Sequence, residues 1–98
     1  MNPKRQPYRN KKIRESAKGK PCQIQGPNCN GNPETVVWCH SNLYEDGKGG
    51  SQKADDIFGA YGCFACHADY DAHRISQEDF HRAMKRSWRI MMDTGVIK

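Results

Sequence analysis

Apolar positions follow no period over residues 1–12, where two prolines and a high charge density predict a flexible basic arm. A short turn is expected from Ile13 to Lys20, stopped by Gly19 and Pro21. Residues 21–35 form a turn-rich loop, punctuated by the pairs Gly26-Pro27 and Asn30-Gly31. The β-branched and aromatic run Thr35-Val36-Val37-Trp38-Cys39-His40 predicts a strand that ends at His40. A polar loop spans 41–55, with Gly47, Gly49 and Gly50 close together. Asp56 to Gly62 reads as a second strand, weakened by its glycines. Residues 64–72 read as a short helix. A longer one follows, with Ser76 as N-cap and Asp79 at N3. Phe80, Met84, Trp88, Met91 and Met92 recur at helical spacing and are assigned to the core, with His81, Arg82, Lys85, Arg86 and Arg89 on other faces. Gly95 is the stop signal.

Composition shows what this pattern lacks. Ninety-eight residues imply one domain, expected over 13–98 behind the arm. Hydrophobic residues make up only 36% and mean hydropathy is −0.98, too little for a conventional core in so short a chain. Metal binding can supply the missing folding free energy. The five cysteines then read as ligands rather than disulfides, because the charged N-terminus has no apolar secretory segment and points to a reducing, cytoplasmic setting. No run approaches the roughly 18 apolar residues of a membrane span. Charge is uneven: residues 1–20 hold eight Lys/Arg and one acid, whereas the rest holds eight against ten. A basic arm on a near-neutral body fits a polyanion such as nucleic acid. A solvated tail is the plainer alternative.

The chemistry centres on Cys63-Phe64-Ala65-Cys66-His67. Cys63 and Cys66 have zinc-knuckle spacing, and Cys22 and Cys29, with six residues between them, complete a four-thiolate set typical of a closed structural site. Cys39 is the odd thiol. His67 and Asp71 lie at i and i+4 and share a helix face, where they can hold a divalent cation. His40, at a strand end, is a candidate general base. Cys63-x-x-Cys66-His67 also matches c-type haem attachment. That reading leaves Cys22, Cys29, Cys39 and His40 unexplained and sits poorly with a chain showing no export segment.

The order of these features resembles the zinc-bound HNH endonucleases. More narrowly, Cys22 to Asp71 is similar to the small prophage-encoded nuclease family of the YbcO type. The resemblance lies in Cys29-Asn-Gly-Asn-Pro-Glu-Thr and Asp56-Ile-Phe-Gly-Ala-Tyr-Gly-Cys-Phe-Ala-Cys-His. It implies a small α+β fold: a ββα-metal (His-Me finger) core with a structural zinc knuckle and a C-terminal helix. It implies water activation by His40 and a first metal ligand at His67, with Asp71 where a second His or Asn often stands. Cys39 occupies a position where many members carry a hard ligand. It is either a ligand favouring a soft metal or not a ligand, with water or His73 completing the site. The middle Asn of the HNH pattern is missing from its expected place, leaving Asp56 or Asn42 to orient the base.

The expected activity is hydrolysis of DNA phosphodiester bonds by a phage or prophage endonuclease linked to recombination or processing. It would use structural Zn²⁺ and a catalytic Mg²⁺, Mn²⁺, Ni²⁺ or Zn²⁺. Lys4, Arg5, Arg9, Lys11, Lys12 and Arg14 are the expected backbone contacts. The alternatives are a non-catalytic zinc-finger module that binds nucleic acid, and an accessory protein that binds a phage or host recombination partner.

Overall fold

A computed structural model of the chain describes residues 8–43 and 54–97. Helix α1 (Lys11–Ser16) is capped by Asn10, whose side chain accepts from Ile13 N. A 3₁₀ turn (Pro33–Thr35) leads into strand β1 (Val37–His40). Strand β2 (Gly59–Gly62) pairs antiparallel with β1, with Trp38 opposite Tyr61 and His40 opposite Gly59. Helix α2 (Phe64–Asp71) follows at once, and helix α3 (Gln77–Asp93) completes the order. This is the small α+β arrangement expected, with a hairpin running directly into a helix.

Glycine at 59 serves packing in the short hairpin. A Cβ there would lie 2.7 Å from the Trp38 indole and from the Cys39 carbonyl oxygen. The indole therefore lies across bare backbone, edge-on to Tyr61. The outer edge of β2 is not left open: Gln23 N donates to Tyr61 O at 2.7 Å, and Tyr61 N donates to Ser87 Oγ at 2.9 Å. A serine inside α3 thus satisfies a strand edge that would otherwise be a liability.

The core sits between α1, the hairpin and α3, on Ile13, Trp38, Tyr61, Phe80 and Met91. Phe80, Ala83, Met84, Ser87 and Met91 form the buried stripe of α3. Trp88 is half-buried, and its Nε1 donates to Ile57 O. Met92, expected in the core, is 48% exposed, since it falls one residue beyond the stripe. Ser76 caps α3 by accepting from Asp79 N, and Gly95 ends it at φ +79°.

The expected arm of 1–12 divides. Residues 1–7 lie outside the described residues, as do 44–53 of the glycine-rich loop. Tyr8 to Lys12 pack: Tyr8 N donates to Asp55 Oδ1, Asp56 N donates to Tyr8 O, and α1 begins at Lys11. Two buried carboxylates draw this segment in, overriding its polar composition. Replacing Gly59 with alanine should cost about 1–3 kcal/mol by overpacking against a rigid ring and backbone. Urea unfolding would show this as a lower midpoint at unchanged slope.

Candidate functional site

Four sulfurs converge where β2 meets α2. The Sγ atoms of Cys22, Cys29, Cys63 and Cys66 all lie within 4.8 Å of one another, and Cys63 and Cys29 are 3.8 Å apart. A tetrahedron with metal–sulfur bonds of about 2.3 Å has an edge of about 3.8 Å, so the spacing suits a tetrahedral metal ion. Backbone amides point at the sulfurs as they do around thiolates: Gly26 N to Cys66, Gln25 N to Cys22 and Cys66 N to Cys63. Burial works against ionising Cys63, but N–H groups of Asn30 and Cys66 outweigh it and bring the thiol down to about 7. Burial and neighbouring sulfurs push Cys29 and Cys66 up. One easily formed thiolate beside thiols that resist further negative charge is a donor set that a cation completes. Among the described residues this is the cluster that could hold a metal ion.

The second centre is built on Asp56, whose side chain is fully buried. Its Oδ1 lies 2.7 Å from His40 Nε2. Its Oδ2 accepts from Asn10 N at 2.6 Å and from Arg14 Nε at 3.0 Å, and Arg9 Nη1 stands 3.6 Å from Oδ1. The backbone beneath is pinned by Trp38, whose Nε1 donates to Asp56 O at 2.7 Å. Burial alone would raise this carboxyl. The hydrogen bonds from His40 and Asn10 N, with the charges of His40 and Arg14, more than offset it and hold the group below its ordinary 3.8. An ionised Asp56 accepts, so it sets the imidazole proton on Nε2 and makes Nδ1 the basic nitrogen.

His40 opens onto a cleft of about 500 Å³ lined by Arg14, Trp38, Ser41, Asn42, His67 and Asp71. Helix α2 buries Cys66, Asp69 and Tyr70 and turns His67 and Asp71 outward, with His67 Nε2 3.2 Å from Asp71 Oδ2. Tyr70 positions the far wall: its hydroxyl accepts from Asn42 N at 2.8 Å and donates to Gln77 Oε1 at 3.0 Å, and its ring stacks on Phe80.

The structure thus brings His40, His67, Asp71 and Asn42 to one cleft. Of the two residues considered for orienting the base, Asp56 makes the contact with His40, and Asn42 only lines the wall. Cys39 is not in the cleft. Side chains alternate along β1, so it points away from His40 into the core, where burial pushes its thiol up. Its Sγ lies against the Val37 and Gly62 carbonyls. His73 sits beyond the end of α2 at φ +62°, exposed and outside the cleft lining. Of the basic residues, Lys4 and Arg5 lie outside the described residues. Arg9 and Arg14 turn inward to Asp56. Lys11 pairs with Glu15 at 3.9 Å, and Lys12 donates to Gly95 O. Trp38 and Ser41 were not singled out from sequence as cleft residues; only the pairing register puts them there.

A hairpin–helix unit carrying a four-cysteine cluster and a histidine–carboxylate cleft defines the class of this protein as a small α+β protein with metal-site chemistry. A profile of the family described as "Putative nuclease YbcO" matches residues 11–97. Two relatives bear that name, one from Escherichia coli strain K12 and one from Enterobacteria phage 82. Each is 36% identical over 93 residues, covering 88% of this chain and 96% of the relative. The solved structure of a "putative bacteriophage protein" from Escherichia coli K-12 MG1655 superposes with a TM-score of 0.67 at 32% identity, covering 86% of this chain and all of the other. The chain belongs to the YbcO family.

Asp56→Asn should lower stability by about 1.5–3 kcal/mol at neutral pH, the worth of hydrogen bonds to a charged group. Because the native carboxyl titrates below 3.8, its contribution is present above that value and is lost as pH falls through the native one. The gap between wild type and variant, read by denaturation at several pH values, should close only in acid. With a metal ion on the four cysteines, chelation should also unfold or strongly destabilise the wild type, since such binding free energy is folding free energy. Circular dichroism with and without a zinc chelator checks this.

Proposed function

We propose that this protein is a metal-dependent endonuclease of the HNH type that hydrolyses phosphodiester bonds in DNA, with a structural zinc on the four cysteines. The supporting observation is the contact of His40 Nε2 with the buried Asp56 carboxylate at 2.7 Å, in a cleft whose opposite wall carries His67 and Asp71. The family name supports the nuclease assignment, and its occurrence in a phage relative fits a role in phage DNA recombination or processing.

In this reading His40 Nδ1 takes a proton from the attacking water. Asp56 keeps the other ring nitrogen protonated and stabilises the imidazolium that results. His67 and Asp71, on one face of α2, are the ligands for a divalent cation. When bound, it would supply Lewis-acid polarisation of the phosphate and offset charge on the leaving oxygen. Arg14 contributes twice: its Nε holds Asp56, and the residue lines the cleft, where its remaining donors suit a phosphate oxygen. Lys4, Arg5, Lys11 and Lys12 add contacts to the phosphate backbone, which makes binding salt-dependent.

Nicking of supercoiled DNA, assayed with magnesium, manganese, nickel and zinc in turn, tests this. His40→Ala should lose about 10²–10⁴-fold in rate, the usual worth of a general base, while still binding DNA. Cleavage by that variant at the wild-type rate would overturn the assignment. Binding by wild type without cleavage under any of the four metals would leave a zinc-finger binding module instead.

A further inference from the structure

Helix α2 has one face the cleft chemistry does not fully use. At 100° per residue, Phe64, His67, Ala68 and Asp71 fall at i, i+3, i+4 and i+7 and form a single outward stripe, opposite the buried Cys66, Asp69 and Tyr70. Phe64 begins that stripe and is 70% exposed, the most open of the large apolar side chains among the described residues. An isolated exposed apolar residue needs no explanation. This one is set apart by its neighbours and its mounting. It precedes His67 by three residues, about 4.5 Å along the axis. Ala68, the small residue of the stripe, leaves the surface between the ring and Asp71 low. The mounting is stiff: Cys63, one of the four clustered sulfurs, is the N-cap immediately before it, and Phe64 N donates to Thr35 Oγ1 at 3.4 Å. An aromatic ring mounted on a rigid element, one turn from the pair proposed to hold the cation, has the form of a base-stacking platform.

We infer that Phe64 stacks against an unpaired nucleobase of the strand whose phosphate meets the cation site on His67 and Asp71, an inference that rests on the nuclease reading. A base inside a closed duplex has both π-faces covered by its neighbours, whereas one in a single strand, flap or branch presents a face to the ring at no unstacking cost. Stacking of this kind accepts any base, so Phe64 selects the structure of the substrate and not its sequence. The residues that line the cleft are polar or charged apart from Trp38, whose indole is already buried against Gly59.

The test uses the full chain with His40→Ala, so that binding is read without cleavage, and compares it with the His40→Ala/Phe64→Ala and His40→Ala/Phe64→Trp double variants by fluorescence anisotropy. The probes are a single-stranded oligonucleotide, the same strand with abasic sites, and the closed duplex. Phe64→Ala should weaken binding to the intact single strand about tenfold, corresponding to roughly 1.4 kcal/mol and within the range for one stacked base. It should leave the abasic strand and the duplex within about twofold, and Phe64→Trp should restore affinity. Metal content and unfolding midpoint of each variant confirm that the cysteine cluster is intact. Equal losses on all three probes, no loss on any, or no binding of nucleic acid by the parent would overturn the inference. A Phe64-dependent preference for unpaired bases, in a protein whose wild type cleaves nothing, would sink the nuclease reading and leave the platform standing. Wild-type cleavage with affinity indifferent to Phe64 would do the reverse.

Discussion

A carboxylate buried without exposure, as at Asp56, has to find partners for its charge and lone pairs or take up a proton. The organisation of the N-terminal half follows from that demand. Asn10 N, Arg14 Nε, Arg9 and His40 all converge on two oxygen atoms. They come from the segment before α1, from α1 itself and from the end of β1. The turn carrying Asp56 is in turn held by Trp38 and Trp88 through their indole N–H groups. One side chain therefore ties the N-terminal segment to the hairpin and sets the tautomer of the histidine that opens onto the cleft. Removing its charge alters stability and the histidine together, because the same oxygens serve both.

The cysteine cluster places the other wall of the cleft. Cys63 caps α2 and Cys66 lies on its buried face, so the sulfurs define where the helix starts and how it is rotated. His67 follows Cys66 directly, and that rotation turns His67 and Asp71 outward. The structural and chemical centres are thus adjacent through the chain and not through a shared ligand. Each sulfur faces inward, each cleft residue of α2 faces out, and the angular step of the helix separates them. A chain with so few apolar residues gains a second rigid point in this way, continuous with the core built on Tyr61, Phe80 and Met91.

What could be read along the chain was what is local. The strand into His40, the helix after Cys63, the Ser76 cap, the Gly95 stop and the zinc-knuckle spacing each depend on a few neighbouring residues, and all of them reappear in the fold. Period also decided that His67 and Asp71 share a face. The family resemblance carried in Cys29–Thr35 and Asp56–His67 was legible for the same reason, as a contiguous pattern.

Charge and composition misled wherever partners were distant. Arg9 was placed in a flexible basic arm and Arg14 grouped with it as a nucleic-acid contact, but a carboxylate more than forty residues away pairs with both, and no window of sequence contains both ends. Cys39 stood beside His40 in sequence and was weighed as a ligand of the catalytic metal, yet alternation along a strand sends adjacent side chains to opposite faces. Asp56 and Asn42 could not be ranked as partners of the histidine until the register placed one at 2.7 Å and the other along the wall. The sequence by itself determined the elements, their caps and the ligand chemistry, because backbone preferences and short spacings act locally. Only the tertiary structure decided which charges neutralise each other and which face of each element meets the cleft, because burial of an ionised group is settled by contacts among segments far apart in the chain.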